Sequence, residues 1–81
     1  VGSYILTVRV EAMERGGLVK DITTLFANEK IKVTSMKSRI DYRSQLSIMD
    51  FDLEVNNLEV LNRIVKRVEQ IRDVMSVKRL G

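Results

Sequence analysis

Neither cysteine, histidine, tryptophan nor proline occurs in this chain of 81 residues, and each absence removes a class of chemistry or structure. Without Cys or His there is no thiol nucleophile, no imidazole base, no disulfide staple and no ordinary zinc site. Aromatic residues make up only 5% of the chain, two Tyr and two Phe, so base-stacking platforms are scarce. Charge of one sign is also scarce: 14 Lys+Arg against 11 Asp+Glu leave +3, well mixed along the sequence. A nucleic-acid surface built on a uniform basic stripe is therefore not expected from net charge. No run approaches the roughly 18 apolar residues of a membrane span, and no basic segment precedes a short apolar run. A cysteine-free chain of this kind is expected in the cytoplasm, with no membrane partner.

What is present describes one small domain. With 44% hydrophobic residues, a chain this short buries about 60% of its unfolded surface, enough for one modest core and no interdomain cleft. The sequence opens Val1-Gly2-Ser3 without an initiator Met. We therefore read residues 1–81 as a single domain excised from something longer; the resemblance described below implies the C-terminus of a larger protein.

From Tyr4 to Ala12 the residues Tyr4, Leu6, Val8 and Val10 alternate with Ile5, Thr7, Arg9 and Glu11, the period of a half-buried strand. Gly16-Gly17 interrupts the chain. Leu18, Ile22, Leu25 and Phe26 then follow at helical spacing from about Gly17 to Asn28, where Asn is expected to take the left-handed terminating conformation. Ile31 to Asp41 reads as a second strand whose apolar phase changes from Ile31 and Val33 to Met36 and Ile40, which a bulge near Thr34-Ser35 reconciles. After the polar connection Asp41-Tyr42-Arg43-Ser44, a third strand sets Ser47, Met49, Phe51, Leu53 and Val55 on one face and Asp50, Asp52 and Glu54 on the other. Asn56 is placed as N-cap of a second helix, with Glu59 three residues on. Leu58, Leu61, Val65 and Val68, flanked by Val60, Ile64 and Ile71, give that helix its stripe from about Asn57 to Ile71. Val74 to Leu80 supplies a last strand.

The order βαββαβ predicts an α+β, ferredoxin-like fold: a four-stranded antiparallel sheet of order 4-1-3-2 with both helices on one face. The other face is left open, and strands two and four are edges. An RNA-recognition module of this shape would carry aromatics on strand three within a K/R-G-F/Y-G/A-F-V-x-F/Y pattern. Here the strand reads Gln45-Leu46-Ser47-Ile48-Met49-Asp50-Phe51-Asp52, and its outward row is acidic. That row is expected to form a charge ladder with Lys37 and Arg39 on one side and Arg9 on the other. Nothing beside it supplies a nucleophile or a phosphate-binding loop, so no catalytic residue, metal site or cofactor is predicted. The cations Lys30, Lys32, Lys37, Arg39 and Arg43 collect around strand two and keep an RNA-contacting module open as the alternative reading.

The turn Met13-Glu14-Arg15-Gly16-Gly17-Leu18 places two glycines ahead of a helix N-terminus, where a carboxylate or phosphate can meet backbone N–H groups. The bland alternative is that the glycines only turn the chain, with Asp21 answering the helix dipole.

Taken together, the stretch from Arg9 through Glu14-Arg15-Gly16-Gly17-Leu18 to Ile31 resembles the start of an ACT domain, whose theme is strand, D-R-x-G-L, helix. The runs Leu53 to Leu61 and Ile71 to Leu80 are similar to the C-terminal ACT domain of RelA/SpoT-type enzymes, the GTP pyrophosphokinases that make and degrade (p)ppGpp. The resemblance covers nearly the whole chain and implies a regulatory module rather than an enzyme. It implies an effector site, for an amino acid or similar small molecule, at Glu14, Arg15, Gly16, Gly17 and Leu18, with Ser35 and Met36 on the facing stretch of strand two. It also implies a homodimer paired through sheet edges and contact with the rest of the parent enzyme or with ribosome and tRNA; the Pro-free edge of strand two around Met36 and Ile40 is itself expected to pair with a second copy. An ACT domain of an amino-acid-metabolism enzyme is the neighbouring alternative. Glu14 stands where the family usually has Asp, and Lys32 where many members have a small polar residue such as Asn.

Overall fold

A computed structural model describes residues 2–81 of the chain. Strands β1 (Tyr4–Met13), β2 (Lys32–Asp41), β3 (Leu46–Val55) and β4 (Val74–Arg79) alternate with helices α1 (Leu18–Asn28) and α2 (Leu58–Glu69) in the order βαββαβ. The sheet order is β2-β3-β1-β4, all neighbours antiparallel, which is the ferredoxin-like order 4-1-3-2. No helix among the described residues is long and apolar enough to cross a membrane.

Alternation in β1 and β3 decides the rest. Their register sets Leu6 opposite Leu53, Val8 opposite Phe51, Val10 opposite Met49 and Ala12 opposite Ser47, so every second residue of both strands faces the helices. Val8, Val10, Met49, Phe51 and Leu53 are fully buried there. Helix α1 adds Leu18, Ile22 and Phe26, and the Phe26 and Phe51 rings meet edge to face with centroids 5.2 Å apart. Helix α2 adds Leu61, Ile64 and Val68. The expected stripe through Leu58 and Val65 is rotated: Leu58 overhangs the first turn, 44% exposed, and Ile64 rather than Val65 points inward.

The bulge expected near Thr34-Ser35 is present. Val33 opposes Leu53 and Ser35 opposes Asp52, leaving Thr34 as the extra residue, whose hydroxyl donates to the Asp52 carbonyl at 3.2 Å. Past the bulge, Met36 and Ile40 lie on the helix side and Ser35, Lys37 and Arg39 on the open side. A second irregularity skips Met75, between the pairs Glu11–Ser76 and Ala12–Val74. The β1–β4 ladder continues beyond Arg79, because Leu80 N–H donates to Thr7 and Thr7 N–H to Gly81.

Two caps differ from expectation. Helix α1 ends not on a left-handed Asn28 but on Lys30, at φ 59°, with Lys30 N–H donating to Ala27 and Ile31 N–H to Phe26. That is the paired closure of a Schellman motif, which satisfies the last carbonyls. At α2 the cap is Asn57, not Asn56: extended at φ −153°, it accepts from the Glu59 and Val60 amides through Oδ1 at 2.8 and 3.4 Å. Asn56 is one residue too early for its oxygen to serve those donors. Replacing Asn57 by Ala is expected to cost about 1 kcal/mol, whereas Asn56→Ala stays within about 0.5 kcal/mol. Urea denaturation of the two variants beside the parent chain checks this; equal losses would contradict the assignment.

Candidate functional site

The loop between β1 and α1 is built around Arg15. Its side chain is 16% exposed and every nitrogen of its guanidinium is engaged. Nε lies 3.1 Å from Asp73 Oδ2, Nη1 donates to the Gly16 carbonyl at 3.1 Å, and Nη2 donates to Asp21 Oδ2 at 2.9 Å and to the Arg72 carbonyl at 3.1 Å. Met13 N–H donates to the Asp73 carbonyl at 2.9 Å. The turn is thereby tied to the α2–β4 junction, where Asp73 itself is left-handed at φ 74°. Arg15 therefore positions the loop and has no free fork to offer a carboxylate ligand. Glu14 Oε1 accepts from the Arg15 amide at 2.9 Å, so the longer acid closes the turn onto its own backbone.

Gly17 is the N-cap of α1, at φ 79° and ψ 0°, with no side chain to cap the helix. Leu18 N–H reaches only the Arg15 carbonyl at 3.4 Å, Asp21 N–H donates to Gly17 at 2.9 Å, and among the described residues no acceptor meets the Val19 and Lys20 amides. These are first-turn donors at the positive end of the helix dipole. Asp21 lies in that turn, but Arg15 holds its carboxylate.

Ser35 and Met36 stand apart from this turn and from each other. Ser35 is on the open face, opposite Asp52, and Met36 on the helix face, opposite Phe51. Met13, the last residue before the turn, pairs with Leu46, five residues along β3 from Phe51. That spacing is about 17 Å at roughly 3.4 Å per residue. Within one chain the structure brings Glu14, Arg15, Gly16, Gly17 and Leu18 together and leaves Ser35 and Met36 elsewhere.

On the open face Asp50 and Asp52 of the acidic row are answered from within. Arg9 grips Asp50 with two hydrogen bonds, Nε to Oδ1 at 2.8 Å and Nη2 to Oδ2 at 3.0 Å. The Thr7 hydroxyl donates to Asp52 Oδ1 at 2.7 Å, and the Ser76 hydroxyl to Glu11 at 2.9 Å with Lys78 at 3.4 Å. Of the expected charge ladder the Arg9 side is present, with Thr7 and Ser76 as contributors that charge pairing alone did not reveal, whereas Lys37 and Arg39 form no ion pair among the described residues because Arg9 takes both oxygens of Asp50. The Arg9 guanidinium holds the Asp50 carboxyl below the usual carboxylate range, and the Ser76 hydroxyl does the same for Glu11, with Lys78 assisting. No group of three metal-ligating side chains exists among the described residues. Phe51, the single aromatic of β3, is buried on the helix side, so this face presents no ring for a base to stack upon.

A polar cleft of about 320 Å³ opens at the opposite end of the sheet from the turn, between the α1–β2 and β3–α2 connections. Glu29, Lys30, Lys32, Glu54 and Asn57 line it, but Glu29 is held by Arg63 at 3.3 Å and Arg67 at 3.6 Å, and the Asn57 oxygen is spent on its helix. Sequence reading missed Asp73 and the Arg72 carbonyl as the partners of Arg15. The available signal was Asp73 itself, an Asp in the junction after a helix, where a left-handed backbone is tolerated.

Comparison with known proteins follows the same chain. The ACT domain family matches residues 1–79. A GTP pyrophosphokinase of Photobacterium angustum is 59% identical over 80 residues, 99% of this chain and 11% of that protein. That of Escherichia coli strain K12 is 46% identical over 77 residues, 95% of this chain and 10% of that protein. The chain thus spans about a tenth of the length of these curated relatives. In fold it is similar to the crystal structure of the ACT domain from GTP pyrophosphokinase of Chlorobium tepidum, with TM-score 0.81, 14% identity, 96% of this chain and 99% of that one covered. A prephenate dehydratase from Staphylococcus aureus shares the fold over 98% of this chain and 30% of its own, with TM-score 0.83 and 16% identity.

Two measurements test the local arguments. Gly17→Ala must place a Cβ at φ 79°, where the added atom meets only Arg15 Nη1 at 3.7 Å, so its cost is conformational, about 1–2 kcal/mol. Gly16→Ala meets open space at ordinary φ and is expected to leave the urea midpoint unchanged. For Arg9–Asp50, the folded carboxyl is more acidic than the unfolded one. Its stabilisation is complete above the ordinary carboxylate range near pH 4 and is lost as pH falls through the lowered folded value. The stability advantage of the parent chain over Arg9→Met is therefore expected to be full at about pH 7 and to shrink as pH falls below about 4; an advantage independent of pH would refute the pairing as its source.

Proposed function

This chain belongs to the ACT domain family, and on that premise we propose that it is a regulatory module of a GTP pyrophosphokinase. The reactions on (p)ppGpp take place in other parts of the polypeptide, and the module adjusts them by binding a small effector or by contacting a neighbouring domain or the ribosome. The observation that carries this reading is the 59% identity over 80 residues to a GTP pyrophosphokinase, a likeness that extends across the whole sheet and both helices rather than one motif.

The effector, in this reading, is a small carboxylate such as an amino acid, and it meets the β1–α1 turn. The Val19 and Lys20 amides supply donors, and Gly16, with nothing within 4 Å of a notional Cβ, leaves room for close approach. Glu14 and Arg15 shape the turn, and Leu18, 2% exposed, anchors it in the core. An effector changes distant catalysis only by the difference of its affinity for two states of the parent protein. The turn suits that requirement, because Arg15 couples it rigidly to Asp73 at the start of β4.

Titration of the isotopically labelled chain with individual amino acids is expected to shift the Gly16, Gly17, Leu18 and Val19 amides at millimolar ligand. Gly16→Ala is expected to remove those shifts while leaving stability unchanged. Flat spectra at these positions for all common amino acids would discard the effector site and leave regulation by domain or ribosome contact.

A further inference from the structure

One guanidinium in the β1–α1 turn answers two carboxylates. Arg15, 16% exposed, lies beside Gly17, where a notional Cβ would stand 3.7 Å from Nη1. Its Nη2 reaches Asp21 Oδ2 at 2.9 Å, and its Nε lies 3.1 Å from Asp73 Oδ2. The two acids are not equivalent. Asp73 belongs to the α2–β4 junction, also lies 3.7 Å from Arg72 and gives its carbonyl to the Met13 amide, so it joins two parts of the fold. Asp21 belongs to α1 itself, is half exposed, and among the described residues has Arg15 as its sole side-chain partner. Its amide donates to the Gly17 carbonyl at 2.9 Å, which keeps its charge within one helical turn of the open Val19 and Lys20 amides. Glu14 adds a further acid to the same turn. The positive end of the α1 dipole is therefore offset by the carboxylates gathered around it.

We propose that Asp21 is a built-in competitor for the carboxylate of the effector and sets how tightly the turn binds anions. The inference rests on the reading of the turn as an effector site. Of the four groups that Arg15 holds, Asp21 is the one whose release leaves the framework standing. The Gly16 carbonyl, the Arg72 carbonyl and Asp73 still fix the guanidinium, and the Asp21 amide still closes the first turn of α1. A ligand carboxylate arriving at the Val19 and Lys20 amides then takes over Nη2, exchanging one charge-assisted hydrogen bond for another of the same kind. Because like replaces like, affinity is governed by the repulsion between the ligand and the displaced Asp21, which stays within a helical turn of it. That repulsion grows with the charge of the ligand, so the turn favours a monocarboxylate over a phosphate or a dicarboxylate.

The test titrates the labelled parent chain and D21N with acetate, L-alanine and inorganic phosphate at low salt, following the amides from Gly16 to Lys20. D21N is expected to bind acetate and L-alanine about three- to tenfold more tightly, the effect of removing one unit charge a helical turn away at an exposed site. Phosphate is expected to gain more than acetate, and all gains to shrink as salt rises. D21S is expected to match D21N, and D21E to restore the affinity of the parent chain. Thermal unfolding by circular dichroism confirms that the variants are folded. If Asp21 served only to order the turn, its loss would weaken binding, so the direction of the change separates the two roles. Unchanged or weaker acetate binding by D21N and D21S overturns the proposal and leaves the effector site standing. Weaker binding of L-alanine with unchanged acetate does the same, and makes Asp21 the partner of the ammonium group. Flat spectra with all three ligands in every chain remove the turn as a carboxylate site, and this inference with it.

Discussion

The antiparallel pairing of β1 with β3 is the constraint from which the rest follows. It joins the two central strands over their full ten residues, and its register makes one face apolar but for Ser47 and gathers the charged residues of both strands on the other. A one-residue slip would exchange the faces and expose Val8, Val10, Met49, Phe51 and Leu53 together. Burial of those side chains fixes where both helices must lie. It also fixes where the charges must go, because Arg9, Asp50 and Asp52 are then forced side by side on the open face. Their hydrogen bonds are consequences of a register set by the core, and they stiffen it in turn.

The Arg15 network plays the corresponding part at the end of the sheet. Gly17 can start α1 at positive φ, but a turn made of glycines alone would be loose. Arg15 removes that freedom by holding the Gly16 carbonyl, the Asp21 carboxylate and the Arg72–Asp73 segment in one fork. The first turn of α1 is thereby held in place while its Val19 and Lys20 amides stay open. Such a combination of a fixed scaffold and unspent donors is what a small anionic ligand needs.

The period-2 patterns of β1 and β3, the phase change at Thr34 and the Gly16-Gly17 break were all legible, because each expresses a local rule that the core enforces. The sheet order followed from element order and crossover handedness. What escaped sequence reading depends on positions distant along the chain. Asn56 and Asn57 offer the same side chain, and only the backbone angle decides which one caps α2. Ile64 and Val65 are equally apolar, and only the packing of α2 against the sheet decides that Ile64 is the buried one. Arg15 looked like a ligand residue, yet its partners Arg72 and Asp73 lie 57 and 58 positions away, beyond any local pattern. Ser35 and Met36 are adjacent in sequence, and the alternation of a strand sends them to opposite faces.

The distribution of charge carries the last step. The chain's +3 is not spread evenly: at the centre of the sheet acids and bases neutralise one another, Asp50 by Arg9 and Glu11 by Lys78. Much of the remaining positive charge lies at the periphery, around β2, where Lys32, Lys37 and Arg39 take part in no ion pair among the described residues. The same central pairing that makes the core thus leaves unpaired cations on β2, one of the two outer strands whose backbone is paired on one side only.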